Sequence, residues 1–302
     1  MSRPSVAVVV PAYNAARWIE ATLESVLAQS EPAEEVIVID DGSSDDTVDR
    51  ARRSGSRVVS QPNGGAPSAY NHGFRLASSE YVAMCPADDL WHPDKLRWQR
   101  ETVRRHAQLD VIFGAARHFG DRDTDYPRPS RPGLQDPTVF GVELFELDVI
   151  PAPTVMIRRA LHVRLGAFRE DLPSEDYEFW LRALQAGAAF FFDDRVLAHL
   201  RLHGGNLSQR AVLIREMDHL IHRTYADMAG DRERVERILA RDLRSIGRGR
   251  LGLDDARGAS RAYRGALRHE VTPAGLAWAV ATSLPGVDAA VGPLNRWRQR
   301  RR

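Results

Sequence analysis

Two adjacent carboxylates, Asp88 and Asp89, stand in the stretch EYVAMCPADDLWHP (80–93), where the residue types carry the most chemistry. Tyr81 to Cys85 before them is a short apolar run with the composition of a buried strand. Acids at the carboxyl end of such a strand, in the crevice of an open α/β sheet, sit where ligands bind. They are hard enough to hold magnesium or manganese against a phosphate. The alternative is that they cap a helix opened by Trp91 and Pro93, with Leu96, Val103 and Ala107 on one face. A second pair, Asp40 and Asp41, ends the apolar run Val36–Ile39 and heads the turn DDGSSDDT. Bonding to nearby backbone N–H groups is their structural reading. The turn lacks the alternating acids and terminal glutamate of an EF-hand, so calcium is rejected. A third group, Ser174-Glu175-Asp176, opens a helix expected over 176–187. There it would cap the helix and tend to stay ionised, which suits a general base. His203 is the only one of ten histidines set in a motif such as Arg-x-His-Gly-Gly-Asn. Imidazole is a common metal ligand, although a lone histidine is more often structural.

Positioning these groups requires strands and helices in alternation. Val6–Val10 is a continuous β-branched run, as expected of a strand covered on both faces in a parallel sheet. Pro11-Ala12-Tyr13-Asn14 turns the chain, and Asn14 is a suitable N-cap for a helix whose stripe includes Ile19, Leu23 and Val26. Strands at Val36–Ile39, Arg57–Ser60 and Tyr81–Cys85, separated by a short helix and by helix 66–77, complete four strands within 90 residues. That alternation predicts a doubly wound α/β sheet. The first turn lacks G-x-G-x-x-G and no G-x-x-x-x-G-K-[ST] occurs, which argues against a dinucleotide Rossmann site and a P-loop. Residues 120–138 are proline-rich, charged and aperiodic, and are expected to form part of an acceptor-side lid. A further strand is expected at Thr154–Ile157, with Leu165–Phe168 closing the helix after it.

A length of 302 residues exceeds the ~100–200 of one domain, so a large α/β domain with an appendage is expected. Residues 1–210 carry a charge balance of −6 and residues 211–302 one of +7, so any nucleic-acid binding would have to lie in the tail. Lys95 is the sole lysine and Cys85 the sole cysteine. A single cysteine within an apolar strand excludes a disulfide framework, fits a reducing cytoplasmic setting and reads as an inert thiol. No signal peptide is expected, and no run of ~20 apolar residues offers a membrane span.

The motifs Val8–Asn14, Val38–Thr47, Asn63–Gly73, Ala87–Asp89, Ser174–Arg182 and Arg201–Ser208 occur in an order and at spacings similar to those of family 2 glycosyltransferases, inverting enzymes of the GT-A fold. The resemblance covers about residues 5–210. It implies a mostly parallel sheet flanked by helices, followed by a helical C-terminal extension over 211–302. It implies a nucleotide pocket formed by Pro11, Ala12, Tyr13, Asn14, Asp40, Asp41, Asn71 and Asp88. Tyr13 would stack on a pyrimidine, and Asp41 would accept the imide N3–H of uracil or thymine, since an ionised acid is acceptor-only. By the same resemblance Asp89 and His203 hold a divalent metal, Mn2+ or Mg2+, and Asp88 reaches the ribose or sugar. Asp176, with Glu175 as second choice, would be the base that takes the acceptor's proton. Tyr70 departs from the pattern, standing where many members have arginine. The implied reaction moves a sugar from a UDP- or dTDP-linked donor to a carbohydrate, lipid-linked or other hydroxyl acceptor. The implied setting is polysaccharide, cell-envelope or glycoconjugate synthesis, with no nucleic acid involved. Two other classes are a sugar nucleotidyltransferase, which needs an early Gly-rich basic loop unlike Pro11–Arg17, and a non-catalytic sugar-nucleotide scaffold. The processive synthases carry membrane helices and a Gln-x-x-Arg-Trp motif, and neither is found here.

Helices are expected at 211–229, 232–246 and 254–267, the last with Ala256, Ala259, Tyr263 and Ala266 on one stripe. The run Arg296-Trp297-Arg298-Gln299-Arg300-Arg301-Arg302 reads as a basic anchor for the inner membrane surface, with Trp278 and Trp297 as interfacial aromatics. Its alternative is a solvated end on a packed helical subdomain.

Overall fold

The β-branched run near the start of the chain becomes β1 (Val6–Ala12), in which every residue but Pro11 is buried. The computed structural model describes residues 3–121, 123–172, 175–203 and 211–283, with Glu175 and Ala211 described by backbone alone. It divides into two units, Met1–Gly204 and Gly205–Arg302. Ser174, the stretch 204–208 and the basic run 296–302 with Trp297 lie outside the described residues.

In the first unit β1 pairs in parallel with β2 (Glu35–Asp40) and β4 (Tyr81–Met84), and β2 with β3 (Arg57–Ser60). The helices α1 (Ile19–Leu27), α2 (Thr47–Arg53) and α3 (Ala66–Leu76) connect them. The packing is close. A Cβ at Gly73 of α3 would lie 2.2 Å from Val9 Cγ1, so only glycine lets this helix approach β1. Ile19, Leu23 and Val26 of α1 join Leu96 and Val103 of α4 (Lys95–Arg105) and Val6, Val8 and Val10 in one apolar core.

Beyond β4 the sheet changes character. β9 (Met156–Arg158) runs antiparallel between β4 and β6 (Val111–Gly120), and β10 (Phe190–Leu202) then pairs in parallel with β6. The short β5 (Leu90–Trp91) lies antiparallel on β10, giving the order β3-β2-β1-β4-β9-β6-β10-β5. β9 meets β6 only at Val111 and Ile112, whereas β10 follows β6 as far as Leu202 opposite Gly120. The second half of the β6–β10 ribbon therefore runs on past the end of β4, with register shifts between Asp193 and Val196 and between Val196 and Ala198. Because β4 is central and β5 lies on the far edge, the chain between them crosses the sheet. Asp88 and Asp89 lie on that crossing.

Several expectations are corrected. Trp91 belongs to β5, and α4 begins only at Lys95 with Asp94 as N-cap, so Asp88 and Asp89 cap nothing. Ala107 is exposed beyond the end of α4. Asn14 is no helix cap either: α1 starts at Ile19, and Asn14 takes the left-handed conformation with φ 48°. Residues 120–138 are not wholly aperiodic, since β7 (Thr124–Asp125) pairs with β6 and β8 (Gly133–Leu134) with β10. α5 (Pro137–Glu146) follows, its N-terminus capped by Asp136, which accepts from Thr138 N and Val139 N at 3.0 Å each. Thr154 closes a single 3₁₀ turn (Ala152–Thr154) rather than opening β9. α6 (Arg159–Leu165) leads to Gly166, and α7 (Glu175–Gln185) precedes β10.

The second unit is helical: α8 (Ala211–Thr224), α9 (Arg232–Gly252), α10 (Ala256–His269) and α11 (Pro273–Ala281). Ala256, Ala259 and Tyr263 of α10 pack with Leu251 and Ala279, as the small-residue stripe predicts. His222 Nδ1 and Asp242 Oδ2 join α8 to α9 at 2.6 Å inside this unit. Trp278 stacks on Tyr263 at 5.9 Å while remaining 46% exposed. Among the described residues no helix is long and apolar enough to cross a membrane.

Candidate active site

The first cluster lies where β1 and β2 end side by side. Ala12 is paired with Asp40, and Asp41 N donates to Ala12 O at 2.8 Å. Both acids are buried. Asp40 Oδ1 accepts from Ser43 N at 3.0 Å and so closes its own turn. Asp41 Oδ1 accepts from Gln61 Nε2 and Gly64 N, each at 2.9 Å, and its Oδ2 accepts from Gly65 N at 2.8 Å. A carboxylate offers about four acceptor sites, and three of those of Asp41 are used by these bonds. Gly65 has φ 86°, a conformation that favours glycine and lets its N–H aim at Asp41 as α3 begins. The loop after β1 is laced to the acidic turn. Asn14 N donates to Ser43 Oγ and Ser44 N to Asn14 Oδ1, both at 2.9 Å, while Ala15 N donates to Thr47 Oγ1 at 2.7 Å. Tyr13 stands out of this lacing, 56% exposed beside Pro11.

The second cluster is the crossing. Asp89 is buried, and its Oδ1 accepts from the backbone N–H of Arg201 at 2.8 Å. Burial, together with the neighbouring Asp88 charge, pushes its carboxyl well above the usual range. Asp88 Oδ2 and His203 Nε2 meet at 3.0 Å. His203 thus contacts the acid that the resemblance assigns to the ribose, rather than Asp89. Cys85 beneath them is buried and its thiol is pushed up by desolvation, as an inert side chain requires.

The third group is at α7. Asp176 is half-buried, and its Oδ1 accepts from the adjacent Tyr177 N at 2.9 Å. Desolvation raises its pKa against that hydrogen bond, so the expected ionising effect of the helix start is outweighed. α7 is seated by Phe179, which packs at 4.7 Å on Phe168, and by Tyr177, whose hydroxyl donates to Leu144 O at 2.9 Å.

Asn71, expected beside the nucleotide, is fully engaged elsewhere. Its Nδ2 donates to Phe168 O at 2.9 Å and Glu170 Oε1 at 3.0 Å. Its Oδ1 accepts from Phe168 N at 2.8 Å and lies 3.3 Å from His162 Nε2. It is 1% exposed and offers a ligand nothing. This buried amide clasps α3 to the segment before α7.

The sequence model of Glycosyl transferase family 2 matches residues 7–166, more than half of the chain. The chain belongs to this family. Among its relatives is the putative teichuronic acid biosynthesis glycosyltransferase TuaG of Bacillus subtilis, 31% identical over 221 residues that cover 68% of this chain and 82% of TuaG. Among solved structures, S. aureus TarS 1–349 in complex with UDP-GlcNAc superposes with a TM-score of 0.66 at 20% identity, covering 96% of this chain and 89% of that one. The mannosyltransferase PcManGT of Pyrobaculum calidifontis, in complex with GDP-Man and Mn2+, gives 0.60 at 19% identity, covering 99% and 88%. The fold is therefore of the GT-A type, and this family 2 glycosyltransferase is an enzyme. The nucleotidyltransferase and scaffold alternatives are set aside.

Sequence reasoning passed over Arg201 and Trp18 in this glycosyltransferase. The Arg201 guanidinium lies 4.3 Å from the ring centres of both Trp18 and Phe119, and its Nε donates to Asp88 O at 3.0 Å. Trp18 also lies 5.5 Å from the His203 ring. An arginine two residues before the motif histidine was the only available signal.

Proposed function

We propose that this glycosyltransferase moves a sugar from a uridine or thymidine diphosphate donor to an acceptor hydroxyl, with inversion at C1 and with a divalent metal. One observation carries the reading: Asp88 and His203 converge at 3.0 Å beside a buried Asp89. A buried acid whose charge is disfavoured, next to a second acid, offers the oxygen donors that Mn2+ or Mg2+ take, with an imidazole nitrogen beside them. Among the described residues no three such side chains already form a metal cluster, so the donor's diphosphate would complete the shell. Asp89 and His203 would hold the ion, with Asp88 between it and the donor's ribose or sugar. When bound, the metal supplies positive charge to the departing diphosphate. Tyr13 and Pro11, with Ala12 behind them, flank the base, and the remaining lone pair of Asp41 accepts its imide N–H. Asp40 and Asn14 act indirectly, by holding the turn that shapes this wall. The acceptor oxygen attacks C1 from the face opposite the diphosphate, and Asp176 takes its proton. Glu175 is the second choice for that step. No covalent enzyme intermediate is required.

The acceptor is a carbohydrate, a lipid-linked or another hydroxyl compound, at the cytoplasmic face of envelope or polysaccharide synthesis. The basic C-terminal run belongs to this reading as a contact for anionic lipid. The deciding experiment is thermal stability and donor hydrolysis across UDP-, dTDP- and GDP-sugars, with Mn2+ or with EDTA. Stabilisation and turnover confined to pyrimidine donors with metal would support the reading. Equal response to GDP-sugars, or indifference to EDTA, would overturn it.

A further inference from the structure

Arg201 is held at three points. Two are aromatic rings from separate elements: Trp18 just before α1 and Phe119 near the end of β6, each 4.3 Å from the guanidinium carbon. The third is the crossing: the Arg201 side chain donates from Nε to the main-chain carbonyl of Asp88 at 3.0 Å, while the main-chain N–H of the same residue donates to the Asp89 carboxylate at 2.8 Å. Adjacent carboxylates repel, and a turn that carries two of them without a clamp would relax outward. A guanidinium suits such a clamp because it is planar, weakly hydrated and able to stack on aromatic faces while a directed N–H remains free to donate. Trp18 extends the clamp to the imidazole, since its ring also packs at 5.5 Å on His203. The Asp88 backbone and the His203 ring are thus tied to the Arg201 side chain and its aromatic seat, and Asp89 to the backbone of the same residue.

We propose that Arg201 is a positioning residue for the transfer reaction, fixing the Asp88–Asp89 turn in the geometry that receives a divalent cation. The inference rests on the metal-dependent reading above. It is tested by measuring UDP binding calorimetrically, with Mn2+ and with EDTA, for the wild type and for Arg201→Lys, Arg201→Met and Phe119→Leu. In the wild type Mn2+ tightens UDP binding. Both Arg201 variants lose about tenfold or more of that tightening, in line with the effect of partners that orient metal ligands, while UDP affinity in EDTA stays within about twofold. Phe119→Leu, which removes one ring of the seat, falls between the wild type and the Arg201 variants, and it carries the test together with Arg201→Lys if Arg201→Met does not fold. Arg201→Lys losing as much as Arg201→Met separates the planar clamp from mere charge. Wild-type tightening in all the variants would overturn the role of Arg201. So would an equal loss of UDP binding with and without metal, the mark of a general structural defect. A wild type that ignores Mn2+ would overturn the metal reading itself, and this inference with it.

Discussion

Asp176 combines a helix start with a desolvated carboxyl, and the two act in opposite directions on its charge. Desolvation prevails, raising the pKa and, in the role proposed above, bringing the group closer to the pH at which it would accept a proton. Asp176→Asn keeps the shape and removes the basicity. It should fold with an unchanged melting temperature and lose about 10²–10⁴-fold in turnover, measured as nucleoside diphosphate release. Asn71 calls for a different expectation. Its amide is bonded on both ends to Phe168 and to partners on either side, so Asn71→Ala would strand several buried groups. A loss of about 2–4 kcal/mol in urea unfolding is expected, and the affinity of the remaining folded protein for UDP should not change.

At the scale of elements, the approach of α3 to β1 depends on Gly73, whose missing side chain makes room for Val9. Gly73→Ala would force the helix off the strand and cost about 1–3 kcal/mol, read as a lowered melting temperature. The parallel half of the sheet was legible in the sequence because its strands are short apolar runs bounded by turn residues. Val6–Val10 and Val36–Ile39 are such runs, and both fall inside observed strands. The strands beyond β4 were less so. β9 overlaps the expected run Thr154–Ile157, but β10 is interrupted by Asp193-Asp194-Arg195, charges that mask a thirteen-residue strand. Of these, Asp193 is buried, while Asp194 and Arg195 are exposed at a bulge. Trp91 was misread for a related reason. Two residues cannot show a period, so a proline nearby pointed to a helix where edge pairing with β10 decides. Among the candidate site residues, the acids were legible because their chemistry is. The clamp behind them was not, since its place two residues before the motif histidine marks Arg201 but does not show the rings of Trp18 and Phe119 that seat it.

For the whole molecule, two buried bases bear on the pH response. Lys95, the sole lysine, is fully buried against the Trp91 ring at 4.0 Å and donates to Gln99 Oε1 at 2.8 Å. Desolvation lowers its pKa from 10.5 to about 7. The unfolded chain therefore binds more protons than the folded one between those values, and stability rises as pH increases from about 7 toward 10. His162, packed on Phe74 at 4.4 Å, has its pKa lowered from 6.5 to about 4, so stability is lost as pH falls below 6.5. Both contributions favour alkaline over acid conditions, while the raised carboxyls of Asp89 and Asp176 and the raised thiol of Cys85 act in the opposite direction. Lys95→Met should flatten the rise above pH 7, whatever constant penalty the orphaned Gln99 oxygen adds, and a melting series across pH checks it.

The arm between β7 and β8 has one further consequence. Both of its roots are sewn to neighbouring strands of one ribbon, at Thr124–Asp125 and at Gly133–Leu134. Between those roots the chain is tied once more, with Pro129 buried and Ser130 N donating to Glu143 Oε2 at 3.3 Å, so only the exposed Pro127-Arg128 corner stands clear of the register beneath. A replacement spliced in at that corner would arrive with its footing already built.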